Sequence, residues 1–72
     1  MSTIVITGCN GGLGREIAKS LDDGDNFIYG LDLENSGNSY LDEFIPCNLF
    51  NPKDILKTAQ RIPQLDILIH CA

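Results

Sequence analysis

The chain has 72 residues, of which 43% are hydrophobic and 21% are charged, and its formal net charge is −5. A chain this short forms one small domain at most, and it buries only about 60% of the surface that its unfolded state exposes. The acidic balance argues against nucleic acid or a membrane surface as a partner, because both attract clustered Lys and Arg side chains.

Two strands and a helix are predicted in the first half of the chain. Residues 3–7, TIVIT, form a β-branched apolar run typical of a strand buried on both faces. A helix follows, and its apolar face consists of Leu13, Ile17, Ala18 and Leu21. Gly24 is placed to end this helix. The run FIYGL at residues 27–31 predicts the second strand, and the polar segment 34–39 predicts a loop.

The second half repeats this alternation. FIPC at residues 44–47 predicts a third strand, whose proline suggests an edge position. Asn51 and Pro52 suit the N-cap and first position of a second helix, and Pro63 ends it. The predicted buried face of that helix consists of Ile55, Leu56, Ala59 and Ile62. LDILIHCA at residues 65–72 predicts a final apolar strand.

The element order β-α-β-β-α-β, with strands that are apolar on both faces, predicts an α/β fold built on a parallel sheet covered by helices. Right-handed crossovers favour the strand order 3-2-1-4, which is the arrangement of one half of a Rossmann fold. We therefore expect residues 1–72 to form the N-terminal part of such a domain, truncated before the domain is complete.

Cysteine usage and apolar runs bear on the compartment. The three cysteines, Cys9, Cys47 and Cys71, lack C-x-x-C spacing, which disfavours a disulfide framework or a metal site and predicts reduced thiols. No signal peptide precedes the first apolar run, and no apolar stretch approaches the roughly 20 residues of a membrane span. We therefore expect a cytoplasmic protein without a membrane segment or a bound metal.

The glycine-rich segment TGCNGGLG at residues 7–14 lies between the first strand and the first helix. In such a turn, exposed N–H groups and the helix dipole both favour a phosphate. The spacing is T-G-x-x-x-G-x-G, in which Gly8 permits the turn, Gly12 admits a pyrophosphate and Gly14 allows close helix packing. The P-loop pattern is absent, because Leu13 stands where its second glycine belongs and no Lys-Ser or Lys-Thr pair follows directly.

An acidic residue after the second strand indicates which nucleotide would bind. Asp32 lies 18 residues beyond Gly14, close to the offset of about 20 residues at which a carboxylate binds the adenosine ribose. Such a carboxylate accepts from the 2′- and 3′-hydroxyls of NAD and repels a 2′-phosphate. No Lys or Arg directly follows Asp32, and Gly11 occupies the turn position where a basic residue could meet that phosphate. The sequence therefore predicts NAD(H).

Four segments together resemble the short-chain dehydrogenase/reductase family, and they span almost the whole chain. TGCNGGLG resembles its TGxxxGxG turn, YGLDL (29–33) resembles its second strand, CNL (47–49) resembles the segment beside adenine, and LDILIHCA resembles its LDxLVNNAG strand. A softer likeness points to the 3α-hydroxysteroid dehydrogenase/carbonyl reductase subgroup. The resemblance implies an NAD-dependent oxidoreductase that interconverts a small-molecule alcohol and a carbonyl by hydride transfer.

The cofactor-binding residues that the motifs and the resemblance imply are Gly8, Asn10, Gly11, Gly12, Leu13, Gly14, Asp32, Leu33, Asn48, Leu49 and Cys71. Asn48 stands where the family usually has an aspartate, although an amide oxygen can still accept from the adenine amine. His70 and Cys71 stand where two asparagines are usual. We expect Cys71 to pack near the cofactor, while His70 could contact main chain or the nicotinamide ribose, or could be purely structural.

The residues that carry catalysis in that family are missing. Family catalysis uses a Ser together with a Tyr-x-x-x-Lys pair, in which the Lys lowers the pKa of the phenol. In this chain Tyr29 is followed at the fourth position by Leu33, and Tyr40 by Phe44. The resemblance thus implies no catalytic residue in the chain, with that machinery expected beyond Ala72. The chain alone should bind the ADP half of NAD without turnover.

Two alternatives are a stand-alone, non-enzymatic nucleotide-binding or interaction module that ends at Ala72, and the N-terminal part of an extended-type nucleotide-sugar epimerase. The TGxxGxxG turn of the epimerases also fits Gly8, Gly11 and Gly14, but the segments CNL and LDILIHCA favour the dehydrogenases. A chain that ends after its last strand leaves an apolar edge open. We therefore expect self-association, such as a two-fold dimer, through the strand edge at 65–71 or the bare sheet face.

Overall fold

The structure is a computed structural model that describes residues 2–34 and 37–72. All six predicted elements are present within those residues and occur in the predicted order. Their bounds are β1 Ser2–Thr7, α1 Gly12–Leu21, β2 Asn26–Asp32, β3 Glu43–Pro46, α2 Pro52–Arg61 and β4 Ile67–His70. Asn35 and Ser36, within the predicted loop 34–39, lie outside the described residues.

The four strands form one parallel sheet in the order β3-β2-β1-β4, which confirms the predicted Rossmann-type arrangement. Because the strands are parallel, their carboxyl ends meet at one edge of the sheet, where Thr7 of β1 lies opposite Leu31 of β2 and His70 of β4. β2 and β3 lie on one side of β1 and β4 lies on the other, so the strand order reverses direction at β1. Open α/β sheets bind their ligands outside this edge, at such a reversal.

The core lies on both faces of the sheet. The cluster on the α1 side consists of Ile4, Ile6, Cys9, Ala18 and Ile28. The cluster on the α2 side consists of Val5, Tyr29, Leu31, Ile45 and Cys47, with Ile62 packed against it. Adjacent residues of β1 therefore enter opposite clusters, which confirms that this strand is buried on both faces.

Helix α1 packs on the sheet through its smallest residues. Gly14 and Ala18, one turn apart, are its buried residues. The prediction that Leu13 is buried is wrong, since its side chain is 67% exposed. Successive residues are about 100° apart around a helix, so docking through Gly14 turns Leu13 away from the sheet. The helix ends at Leu21, and Gly24, with a φ of +82°, belongs to the turn that follows.

Helix α2 has the predicted ends but only part of the predicted buried face. The Asn51 side chain accepts a hydrogen bond from the Lys53 N–H at 3.0 Å, so it caps the helix as expected. Thr58 is the buried residue of the helix, whereas Ile55, Leu56 and Ala59 are exposed. Ile62, which directly follows the helix, packs against the α2-side cluster.

The geometry of an α-helix explains this difference. Thr58 and Ile62 are four positions apart and therefore lie on one side of the helical path. Leu56, two positions before Thr58, lies on the opposite side of the axis and is 61% exposed. Of the predicted face, Ile62 therefore packs against the α2-side cluster, while Leu56 points away from it.

Strand β4 is shorter and more exposed than predicted. It comprises four residues and pairs with β1. Asp66, directly before the strand, accepts a hydrogen bond from the Thr3 N–H at 2.7 Å and so holds the start of β4 against β1. Ile67 and Leu68 are 45% and 58% exposed. Within residues 2–34 and 37–72, no strand pairs with its outer edge. In the same ranges, no helix is long and apolar enough to cross a membrane.

Candidate cofactor site

A tight turn connects β1 to α1 at the carboxyl edge of the sheet. Gly8 adopts a φ of +67°, and its N–H donates to the Leu31 carbonyl at 2.8 Å. The Gly11 N–H then donates to the Gly8 carbonyl at 3.1 Å, and α1 begins at Gly12. The N-cap residue Gly11 supplies no side-chain cap. The first N–H groups of a helix lack partners within the helix, so this end is suited to an anion.

The glycines of this turn differ in what requires them. A Cβ on Gly14 would lie 2.3 Å from the Gly8 carbonyl oxygen, and a Cβ on Gly8 would lie 2.8 Å from the Ala72 nitrogen. The fold itself therefore requires both. A Cβ on Gly12 would meet no atom within 4 Å, and one on Gly11 would meet the Gly8 oxygen at 3.4 Å, an ordinary contact. The space beside Gly12 is what a pyrophosphate needs to approach the backbone.

Asp32 joins the end of β2 to this turn. One carboxylate oxygen accepts from the Asn10 N–H at 3.0 Å, and the other accepts from the Leu33 N–H at 2.8 Å. The Asn10 side-chain amide donates in turn to the Glu34 carbonyl. Each carboxylate oxygen has a second acceptor position. Asp32 can therefore hold the turn and still accept from the two hydroxyls of a ribose.

A cleft of about 150 Å³ lies outside the carboxyl ends of β1, β2 and β3. It brings together five of the predicted residues, namely Gly8, Asp32, Leu33, Asn48 and Leu49. Its remaining wall includes Phe50, which sequence reasoning did not single out, and Ala72. Apolar side chains with one carboxylate among them suit a flat base attached to a sugar diol.

The other predicted residues lie beside this cleft rather than in its wall. Asn10, Gly11, Gly12, Leu13 and Gly14 lie in the turn and the first residues of α1. Cys71 follows β4 and packs against the α1-side cluster. It is half-buried, consistent with the small packing residue expected there.

The amide oxygen of Asn48 already has a partner. It accepts from the Phe50 N–H at 2.9 Å, while the Asn48 N–H donates to the Asp54 carboxylate at 3.0 Å. These bonds shape the loop that leads into α2. Because an amide oxygen has two lone pairs, Asn48 retains one acceptor position for an adenine amine.

His70 is held by the side chain of Thr7. Its Nδ1 lies 2.7 Å from Thr7 Oγ1, and the same oxygen accepts from the Cys71 N–H at 3.2 Å. A hydroxyl can donate one hydrogen bond and accept two, so Thr7 can bond Nδ1 in either tautomer of His70 while it accepts from Cys71. Of the roles left open for His70, this bond to Thr7 supports the structural one.

Two features of the turn involve Cys9. Burial first, and the nearby Asp32 carboxylate second, raise the pKa of its thiol from the ordinary 9.0 to about 11. The thiol is therefore protonated at neutral pH and inert.

The backbone carbonyl of Cys9 accepts a hydrogen bond from the buried Asn38 amide at 3.0 Å, which connects the loop after β2 to the turn. Sequence reasoning missed Asn38, because a polar loop pattern does not show which amide becomes buried.

A parallel sheet, a glycine turn at the start of a helix and a carboxylate at the end of β2 define a dinucleotide-binding protein of the Rossmann type. No group of three or more His, Cys, Asp or Glu side chains in the described ranges could hold a metal ion.

The chain belongs to the NAD dependent epimerase/dehydratase family, whose sequence model matches residues 4–72. No curated protein sequence matches the chain significantly. The family confirms NAD as the cofactor and confirms the likeness to short-chain dehydrogenases at the level of the Rossmann-like superfamily. It does not support the 3α-hydroxysteroid dehydrogenase subgroup. It is also compatible with the epimerase alternative, whose glycine spacing fits Gly8, Gly11 and Gly14.

Proposed function

We propose that this chain binds the ADP-ribose half of NAD along the carboxyl edge of its sheet. The pyrophosphate lies against the N–H groups of Gly12 and Leu13, and the adenosine ribose is held by Asp32. The adenine lies between the loops that contain Leu33 and Asn48. The position of Asp32 carries this proposal, because its two carboxylate oxygens sit between the turn and the cleft and each can accept a further hydrogen bond.

The parent activity that we propose is the NAD-dependent interconversion of a small-molecule alcohol and a carbonyl. Bound NAD supplies the nicotinamide ring that accepts or donates hydride. The residues of this chain bind and orient the cofactor. Oxidation of a substrate hydroxyl is chemistry that a dehydrogenase and an epimerase can share, so the family match supports either kind of enzyme.

The chain by itself should bind without turning over, because neither Tyr29 nor Tyr40 has a Lys four positions later. This property makes a purely nucleotide-binding module the second candidate function. NADH absorbance at 340 nm, followed with the chain and a panel of aldehydes, ketones and nucleotide sugars, separates binding from catalysis. Steady oxidation of NADH would contradict the proposal that the chain is inactive alone.

The preference for NAD over NADP follows from the Asp32 carboxylate. A 2′-phosphate on the adenosine ribose would lie beside it, and like charges placed together weaken binding by about ten-fold or more. Calorimetric titration of the chain with NADH and with NADPH should therefore show tighter binding of NADH. Tighter binding of NADPH would contradict the proposed position of the ribose.

Matched variants connect this preference to one carboxylate. Asp32→Asn should weaken NADH binding by about ten-fold, since hydrogen bonds to a charged acceptor are the stronger ones, and should reduce the preference over NADPH. Asp25→Asn removes an exposed carboxylate from the turn between α1 and β2, at the opposite edge of the sheet. It should leave both affinities unchanged. Thermal melts of both variants check that they are folded.

A further inference from the structure

Phe50 is the one fully exposed aromatic side chain in the described part of the protein. Its relative exposure is 98%. The other aromatic residues are buried or half-buried: Phe27, Tyr29, Tyr40 and Phe44. Single exposed apolar residues are common on protein surfaces, so the exposure of Phe50 needs a second observation before it indicates a function.

Phe50 lies directly before α2, where an apolar side chain can stabilise the start of a helix. Phe50 directly precedes the N-cap Asn51, and an apolar residue there often packs against the fourth residue of the helix, which is Ile55. With 98% of Phe50 exposed and Ile55 itself 46% exposed, the structure contains no such packing. Stabilisation of the helix end therefore does not account for the Phe50 side chain.

The backbone that carries the ring is nonetheless firmly held. The Phe50 N–H donates to the Asn48 side chain at 2.9 Å, and the Asn51 N–H donates to the Asn48 carbonyl at 2.9 Å. Asp54 and Lys53 complete the bonds that join this loop to α2. A loop with these hydrogen bonds presents the ring from a defined place at low entropic cost on binding.

The second observation is that Phe50 lines the same cleft as Asp32. The cleft also includes Leu33 and Leu49, so a planar apolar group within it would have aliphatic side chains and an aromatic ring available as walls. The ring and the carboxylate correspond to the two parts of adenosine, a base with a π face and a sugar with two vicinal hydroxyls.

We infer that Phe50 is a positioning residue that packs its ring against the adenine base of the bound dinucleotide. This inference rests on the proposed function, because it takes the adenosine ribose to be held by Asp32. Phe50 contributes affinity for the adenine half of the cofactor and fixes the plane of the base. It takes no part in chemistry at the nicotinamide.

Calorimetric titration of the chain and its variants with NADH, AMP and nicotinamide mononucleotide tests this role. Phe50→Ala should weaken NADH and AMP binding by about ten-fold, the usual scale for loss of one base–aromatic stack, and leave affinity for nicotinamide mononucleotide unchanged. Phe50→Tyr keeps the ring and should bind NADH and AMP as the wild type does. Leu56→Ala, which truncates another exposed apolar side chain, should change none of the three affinities.

A spectroscopic readout accompanies the affinities. The adenine H2 and H8 resonances of AMP should shift upfield on binding to the wild type, through the ring current of Phe50, and should shift less with Phe50→Ala. If the wild type binds NADH in an Asp32-dependent manner and Phe50→Ala binds equally well, the role of Phe50 is overturned while the proposed function stands. If the wild type binds neither NADH nor AMP, the proposed function fails and this inference fails with it.

Discussion

The Gly14 backbone lies against the carbonyl of Gly8, so closely that a Cβ on Gly14 would be 2.3 Å from that oxygen. This contact sets the distance between the start of α1 and the end of β1. It places the helix N-terminus directly beside the carboxyl edge of the sheet, where Asp32 lies. The geometry of the candidate site therefore depends on a packing contact that only glycine allows.

The first prediction compares two glycines that are two positions apart. Gly14→Ala should lower the free energy of unfolding by at least about 1–3 kcal/mol, the scale of overpacking in a filled site. Gly12→Ala should keep the fold, or stabilise it by up to about 1 kcal/mol, because alanine is the better helix former and its Cβ meets no protein atom. NADH affinity should nevertheless fall in Gly12→Ala, because the methyl group takes the space assigned to the pyrophosphate.

Urea denaturation and NADH titration of the two variants measure these effects separately. Gly24→Ala is a control for positive φ alone, since Gly24 has a φ of +82° with open space around it. It should cost about 1 kcal/mol of stability without affecting NADH affinity. If the Gly12→Ala variant binds NADH as tightly as the wild type, the assignment of the pyrophosphate to this turn is contradicted.

The second prediction concerns alkaline pH. The pKa of Cys9 rises from 9.0 to about 11 on folding, so the folded chain holds its thiol proton more tightly than the unfolded chain does. The resulting stabilisation is present below pH 9 and is lost as the pH rises from 9 to 11. At 1.36 kcal/mol for each pKa unit, the full loss amounts to about 3 kcal/mol.

Chemical denaturation at several pH values between 8 and 11 measures this slope. Cys9→Ala lacks the titrating group and should show a shallower fall in stability over the same range. Equal slopes for the wild type and Cys9→Ala would contradict the assigned pKa. In the wild type, iodoacetamide at pH 8 should label the half-buried Cys71 well before the buried Cys9.

The third prediction tests the Thr7–His70 bond. Thr7→Val preserves the shape of a buried side chain but removes the hydroxyl that bonds His70 and the Cys71 N–H. It should cost about 1 kcal/mol of stability and change the ratio of the two His70 tautomers. Thr7→Ser retains the hydroxyl and should keep the wild-type ratio. Nitrogen-15 NMR of the imidazole measures this ratio, and an unchanged ratio in Thr7→Val would argue against the bond.

The fourth prediction concerns self-association, which we propose on the basis of β4. Ile67 and Leu68 point to opposite faces of this strand and both are about half exposed, as in a strand that another strand would normally flank. Sedimentation equilibrium at micromolar concentrations should show dimers. Leu68→Lys should shift the chain toward monomers, while Leu56→Lys on α2 should not. A monomeric wild type under these conditions would contradict the proposal.

Some features of this structure follow directly from the sequence. Local propensity and short-range hydrogen bonds determine the β-branched strands, the helix start at Asn51-Pro52 and the position of Asp32 after a strand. These features can therefore be predicted without the tertiary structure. The strand order followed from the handedness of crossovers. These rules also placed five predicted site residues around one cleft.

Other features depend on tertiary contacts that no local pattern records. The apolar faces predicted for the two helices included Leu13 and Leu56, yet both side chains are exposed. The spacing of apolar residues along a helix does not determine which of them contact the sheet. The bond from Asn38 to the Cys9 carbonyl spans 29 positions. In the sequence, nothing distinguishes Phe50 from any apolar residue that precedes a helix. Its connection to a ligand depends on its position in the cleft beside Asp32.

The central claim is that NAD lies between the start of α1 and Asp32, and an amide chemical-shift titration tests it most directly. On addition of NADH to the nitrogen-15-labelled chain, the largest shifts should occur at Gly11, Gly12 and Leu13 in the turn and at Leu33 after β2. Residues 22–25, at the opposite edge of the sheet, should barely move. Saturable shifts confined to residues 22–25, or none at the turn, would contradict the assignment of this edge as the NAD site.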